Sequence, residues 1–424
     1  MPNQSSLFEW QNFCKIDASG LLMKNFKFID LFCGIGGFHL ALEKLGGKCV
    51  FACDIDETCR KVYAANFKMQ PASDITLVKE TDVPKHDVLC AGFPCQAFSK
   101  AGARKGFEDT RGTLFFHIAR IISHHKPKYL ILENVRNLVS HDNGDTWKTI
   151  AKTLDSLGYV FQNPPVIFSP HLIGIPQFRE RVIILAQRKD LPYNDGLYFS
   201  EDMLGAVKCD AESILHKKTE KVNLVPYKLS KEETLIIDVW NDFIKGIKGP
   251  LPGFPVWADE FKGKYNYAHL PEWKQNFLKK NRKLYADNRE FIDKWLEDNN
   301  NLEDLAPSRR KFEWQAQDSK RDLWKLIIQL RPSGVRVKKP TYFPSLVAIT
   351  QTSIIGSQKR NLTPREVARL QSIPDSFKFP VDDSDIYRQM GNCVNVDVIA
   401  FFASRLLGVS HPDYDRLTKT AACC

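Results

Sequence analysis

Phe28-Ile-Asp-Leu-Phe-Cys-Gly-Ile-Gly-Gly37 decides the fold: an apolar run of strand length enters a glycine turn, and an amphipathic segment, 38–45, follows. Strand, tight turn and helix in that order open an α/β unit, and the glycines let the backbone pass close to a ligand at the carboxyl edge of a sheet. The spacing departs from the dinucleotide fingerprint GxGxxG, because His39 stands where the third glycine would fall. A nicotinamide oxidoreductase is thereby disfavoured. Asp54 comes about 20 residues later, at the end of the next apolar run, where a carboxylate can hold a ribose hydroxyl. The alternative for Asp54 or Asp56 is to cap the helix that follows.

Outward from this stretch the same alternation continues to about residue 188. Candidate strands are 28–32, 49–53, 87–90, 129–132 and 182–186, with helical segments at 38–45, 57–66 and 113–124. This is the signature of an α/β domain on a mainly parallel sheet. Beyond Asp190 the alternation stops, and a stretch rich in lysine, asparagine and aromatics runs to about Lys359. Within it, 272–298 has helical periodicity with mixed charges, and RVKKPTYFPSLVAITQTS (336–353) suits either DNA-facing strands or a hairpin packed on a hinge. TPREVARLQSIP from Thr363 reads as a capped helix with proline in its first turn, and 393–407 as a last apolar helix returning to the first domain. The expected partition is an extension over 1–26, a first domain over 27–190, an inserted module over 191–359 and a returning segment over 360–424.

At 424 residues, 43% hydrophobic and 26% charged, the chain has material for two cores and the composition of a folded soluble protein. A net charge of +10 suits a polyanionic partner without demanding one. The opening residues lack the basic-then-apolar layout of a signal peptide, so the eleven cysteines are expected as reduced thiols in a cytoplasm. None is spaced CxxC, and Cys49, Cys53 and Cys59 have no histidine nearby, so no metal is expected. No apolar run approaches the roughly 20 residues that span a bilayer.

Three further stretches carry chemistry. Cys90-Ala-Gly-Phe-Pro-Cys-Gln-Ala-Phe-Ser99 follows a strand and places Cys95 where an exposed thiolate can act as nucleophile. A glycine-punctuated loop with four basic residues, 100–112, comes next and reads as phosphate-contacting. Leu132-Glu133-Asn134-Val135 ends a strand, and Gln177-Phe-Arg-Glu-Arg-Val182 begins one. A carboxyl group and two arginines delivered to the sheet edge that carries a cysteine can attack, protonate and hold a ring.

LFCGIGG, GFPCQAFS, ENV, QFRERV, TPREVARLQSIP and RQMGNCVNV occur in that order between Phe28 and Val396. The set resembles the ordered motifs of bacterial cytosine-5 DNA methyltransferases of restriction-modification systems. The resemblance implies a Rossmann-like α/β catalytic domain that uses S-adenosylmethionine, with a smaller inserted target-recognition domain. It implies Cys95 as the nucleophile at C6 of a cytosine flipped from double-stranded DNA, and Glu133 as the group that holds N3 and the exocyclic amine. Arg181 would then contact O2 and Arg179 would support the site electrostatically. It assigns Phe32, Gly34, Gly36, Gly37, Asp54, Asp74, Ile75 and Asn392 to the cofactor, and Gln96 and Ser99 to DNA beside the flipped base. It also implies a monomer that shields host DNA from a partner endonuclease. An RNA methyltransferase of the same fold would follow Pro-Cys-Gln with a proline-phenylalanine-threonine run, whereas Ala97-Phe98-Ser99 follows here. A silent DNA-binding relative would lack some of the catalytic elements, all of which are present.

Overall fold

The computed structural model describes residues 25–94, 114–263, 266–348 and 352–418. Strands β1 (Lys27–Leu31), β2 (Lys48–Cys53), β3 (Val88–Gly92) and β4 (Tyr129–Val135) run parallel in the order β2-β1-β3-β4. After them come β5 (Tyr159–Phe161), β6 (Val166–Phe168), β7 (Gln177–Phe178) and β8 (Arg181–Arg188). β8 lies antiparallel against β4, and both β5 and β6 pair antiparallel along its far edge. The seven-stranded sheet is therefore parallel in one half and antiparallel in the other. Its three-residue edge strands are too short to show periodicity in the sequence.

Alternate residues of these strands enter two cores. Phe28, Cys90, Ile131 and Ile183 face one side, and Ile29, Leu31, Leu132 and Ile184 the other. Helices α1 (Gly37–Glu43) and α2 (Glu57–Phe67) cover the first face, and α3 (Leu114–His125) and α4 (Asp145–Ser156) the second. Strands buried on both faces need no polar side, which is why they read as unbroken apolar runs.

A separate core is built by α5 (Lys231–Gly246), β9 (Val256–Trp257), α6 (Glu272–Asp287), α7 (Arg289–Asp298), β10 (Lys311–Gln315), β11 (Ile327–Arg331), β12 (Gly334–Lys338) and β14 (Ile354–Ile355), while β13 (Phe343–Pro344) sends Phe343 into the first core and β15 (Arg360–Asn361) follows. Except for β13 these strands form one sheet in the order β15-β14-β11-β12-β10-β9. Its centre is aromatic: Trp240 stacks on Phe312 at 4.9 Å and packs on Trp295 at 5.5 Å. The helical stretch 272–298 is two helices, broken at Asn288, whose side-chain oxygen accepts the Lys248 N–H at 2.9 Å. Leu197, Phe199, Leu204 and Ile214 pack into the first core, whereas residues of the second core begin at Ile236. The two packing units thus meet well beyond Asp190.

The chain then returns. α8 (Pro364–Leu370) starts at Thr363, whose hydroxyl and Glu366 form a reciprocal capping box. α9 (Asp383–Asn392) and α10 (Val396–Leu407) follow, and α10 begins three residues later than the apolar run because the Asn395 side chain caps it through Val398 N–H at 3.0 Å. Phe402 of α10 packs edge-on against Phe168 of β6 and against Phe199. The most apolar helical stretch of the described residues is therefore core, not surface. β13 pairs with β7, Phe343 opposite Gln177, so the second unit is stitched to the loop that precedes β8.

Candidate active site

The glycine turn is shaped by contacts as well as by backbone freedom. Gly36 has φ +96°, and a Cβ there would come within 2.2 Å of the Phe67 ring. Gly37 starts α1 pressed against the returning chain, with a would-be Cβ at 2.6 Å from Val394. His39, on the next turn of α1, is buried and stacked on Phe67 at 3.8 Å, with Nδ1 2.6 Å from the Tyr63 hydroxyl. Burial pushes its pKa down to about 4, so it is a neutral core residue.

Above the turn lies a cleft of about 480 Å³ at the carboxyl ends of β1 to β4. Phe32, Gly34, Gly37, Asp54, Asp74, Ile75, Glu133, Arg179, Arg181 and Asn392 all line it. Gly36 does not; it works behind the wall, at the cap of α1. Cys95, Gln96 and Ser99 lie outside the described residues, but Phe93 and Pro94, which lead to Cys95, form part of the lining.

The two aspartates after β2 have separate tasks. Asp56 caps α2 through the Cys59 N–H at 3.0 Å. Asp54 accepts the Gly34 N–H at 2.7 Å and the Asp56 N–H at 2.8 Å, bracing the turn with its carboxylate in the cleft. Between them Ile55 is 77% exposed although apolar, and it lines the same cleft. The sequence reading passed over it; an isoleucine between two aspartates at a strand end was the available signal. Gly34 has open space where a Cβ would stand, so a ligand can approach its backbone. Apolar Phe32 and Ile55, a carboxylate at Asp54 and the Asn392 amide fit a molecule with an aromatic base, a ribose and an amino-acid tail.

At the other end of the cleft, Glu133 Oε1 lies 3.1 Å from Arg181 Nε. Burial pushes the Glu133 carboxyl up, against the pull of Arg181 and Arg179. Arg179 is the more deeply enclosed arginine. It donates from Nη1 to the Leu346 carbonyl at 2.9 Å and from Nη2 to the carbonyls of Gly391 and Cys393 at 2.8 and 3.1 Å. One guanidinium thus clasps β7, the loop after β13 and the returning segment. Burial lowers its pKa to about 9, which leaves it charged at neutral pH. Asn134 is a second fastener. Its Nδ2 donates to the Phe93 carbonyl at 2.8 Å, tying the end of β4 to the strand end that carries Pro94 and Cys95.

Arg388 of α9, the first residue of RQMGNCVNV and given no role there, donates to Asp56 at 2.5 Å and to the Thr58 hydroxyl at 2.8 Å. Despite the cost of burial, Arg388, Thr58 and the Cys59 N–H hold the Asp56 carboxyl well below its usual range. A depressed folded pKa contributes stability above the unfolded value, about 3.9, and that stability is lost as the pH falls through the folded value. Arg388→Ala is therefore expected to lower Tm by about 2 °C at neutral pH, a value discounted for a partly exposed pair. Calorimetry across a pH series should show the gap from wild type closing below about pH 4.

Residues 26–408 match the model of the C-5 cytosine-specific DNA methylase family. The chain is 37% identical to the Type II methyltransferase M.AluI of Cellulosimicrobium cellulans, over 88% of this chain and 90% of the relative. It is 32% identical to M.HhaI of Haemophilus parahaemolyticus, over 92% and 96%. Among solved structures, S. pombe Dnmt2 methyltransferase superposes with a TM-score of 0.51 at 20% identity, over 90% of this chain and 98% of that one, a likeness of fold. A Rossmann-like sheet with a cleft at its carboxyl edge, and a family match over residues 26–408, have the same meaning: the chain belongs to the C-5 cytosine-specific DNA methylases and is a DNA cytosine-5-methyltransferase.

Proposed function

We propose that Cys95 attacks C6 of a cytosine extruded from double-stranded DNA, that Glu133 and Arg181 hold the base, and that the unit from about 230 to 355 selects the DNA sequence. The observation that carries this reading is the meeting of Glu133, Arg181 and the Pro94 strand end in the cleft whose other end is framed by Phe32, Asp54 and Asn392. When bound, S-adenosylmethionine supplies a methyl group on a sulfonium centre. Phe32 and Ile55 would flank its adenine, with Asp74 and Ile75 beside it, Asp54 at the ribose and Asn392 at the methionine end.

Cytosine C5 is a poor nucleophile. Thiolate addition at C6 pushes electron density onto C5, and a proton from Glu133 to N3, or a hydrogen bond there, stabilises the resulting ring. A carboxyl raised by burial suits that task. Arg181, its Nε on Glu133, would present its remaining N–H groups to O2. Loss of the C5 proton then lets the thiolate leave and restores the aromatic ring. A base stacked in a duplex cannot reach this cleft, so extrusion is required. We propose further that the enzyme acts as a cytoplasmic monomer paired in function with a restriction endonuclease that cuts the same sequence.

Labelled methyl transfer into duplex DNA, beside an RNA substrate, tests the reading. 5-Methylcytosine in DNA is expected; label confined to RNA would overturn it. A second expectation concerns Asn134. Asn134→Ala orphans a backbone carbonyl at the strand end before Cys95, at about 1–3 kcal/mol, and loosens the nucleophile. Single-turnover rates should fall about 10- to 100-fold while calorimetric cofactor affinity holds.

A further inference from the structure

On β10, β11 and β12 the residues alternate, except that Ile327 on the outer side of β11 is buried in the first core. Phe312, Trp314, Ile328, Leu330, Val335 and Val337 enter the second core, and Glu313, Gln329, Arg331, Arg336 and Lys338 face the other way. Register sets three of the outward residues in one row, with Glu313 beside Arg336 and Arg336 opposite Gln329.

A face turned only to solvent would carry loose, exposed charges. This one is organised. Glu313 Oε2 accepts from Arg336 Nε and its Oε1 from Arg331 Nη2, both at 2.8 Å, with the three side chains only 19–25% exposed. The carboxylate grips Arg336 by Nε, and among the described residues its two terminal amino groups have no protein partner. That guanidinium is held in a fixed orientation with its fork free, so little side-chain entropy remains to be lost on binding. The Gln329 side-chain oxygen beside it is buried and has no hydrogen-bond partner among the described residues, so it is not presented to a ligand. Two arginines share one carboxylate, and Lys338 lies on the same face, which gives the cluster the sign that DNA attracts.

The face also runs into the active site. Lys338 Nζ sits 5.7 Å above the Phe178 ring, and Phe178 immediately precedes Arg179. Phe178, His171 and Tyr342 form an aromatic cluster at the same junction, where β13 pairs with β7. A duplex whose cytosine enters the cleft would have its neighbouring base pairs at this sheet.

We infer that the outer face of β10, β12 and β11 reads base edges beside the target cytosine, with Arg336, buttressed by Glu313, as a specificity-determining residue. Donor and acceptor patterns in the major groove pair arginine with guanine O6 and N7. Arg336 is thus assigned a G·C pair of the recognised sequence. This rests on the reading that sequence-specific duplex DNA is the substrate.

The test is methylation of a duplex library randomised around its cytosines, with 5-methylcytosine mapped by bisulfite sequencing. Arg336→Lys keeps the charge for Glu313 but loses the planar fork, and should lower discrimination at one G·C position by about 5- to 150-fold. Arg336→Gln, which can still donate to Glu313 but lacks the fork, should relax the same position. Cofactor affinity should match wild type in both. Wild-type selectivity in both variants would overturn the proposal. Should Arg336→Lys fail to fold, unchanged selectivity in Arg336→Gln alone would overturn it. Absence of any sequence preference in the wild-type enzyme would instead remove the reading beneath it, a failure visible without any variant.

Discussion

Cys95→Ala is expected to leave no measurable methyl transfer, a fall on the order of 10⁴-fold or more, because no other group can form the bond to C6 that activates C5. Binding of S-adenosylmethionine should survive, since the side of the cleft proposed for it is built from the glycine turn, Asp54 and the returning segment. The described cysteines that line the same cleft are poor substitutes. Burial pushes the Cys393 and Cys53 thiols up to about 12 and those of Cys33 and Cys59 upward too, so none of the four supplies thiolate near neutral pH. Filter binding of labelled cofactor beside transfer rates separates the two effects.

The second large effect is expected from Glu133→Gln. The amide keeps the volume and can still face Arg181, so the variant avoids leaving a buried arginine without a partner, a loss of about 3–5 kcal/mol. It cannot deliver a proton. kcat should fall about 10²- to 10³-fold. The pH profile carries the sign. Thiolate at Cys95 grows as the pH rises, and the protonated fraction of Glu133, held up by burial, shrinks. Wild type should give a bell, and Glu133→Gln should lose the falling alkaline limb that belongs to this carboxyl while keeping the rising one. An unchanged bell would assign the proton to another group.

The parallel half of the sheet was legible because strands covered on both faces, such as 129–132, read as unbroken apolar runs. In the antiparallel half only β8 was, from the run 182–186. β5, β6 and β7 have two or three residues each and carry no period, and their strand character comes from pairing with β8 and β13. The packing boundary was hidden for a related reason. Leu197, Phe199 and Leu204 stand among 3₁₀ turns and reach the first core one at a time, so they leave no amphipathic pattern. Asn288 shows the reverse: a continuous helical period across 272–298 gave no sign that one side chain would turn inward and split the helix.

At the site, the order of short motifs singled out residues that lie far apart in the chain and close together in the fold. Glu133, Arg179, Arg181 and the cofactor-side group other than Gly36 converge on one cleft. What linear reading missed was how they are held. Arg179 finds its carbonyl partners at Leu346, Gly391 and Cys393, from 167 to 214 residues away. Asn134 was quoted only as the middle of a motif, yet it fastens the strand end before Cys95. Arg388 binds Asp56 across 332 residues and had no local signature. Capping was the exception: Thr363 and Glu366 are three residues apart, and a contact that close is written in the sequence itself.

The most direct measurement is covalent capture. In a duplex pool carrying 5-fluorocytosine, attack at C6 and methylation at C5 can proceed, but fluorine cannot leave C5 as the proton does, so the enzyme stays attached. With S-adenosylmethionine present, peptide mapping by mass spectrometry should find the modified cytosine on the peptide that contains Cys95. An adduct on another residue, or ready methylation of ordinary cytosine with no adduct in the fluorinated pool, would contradict the account.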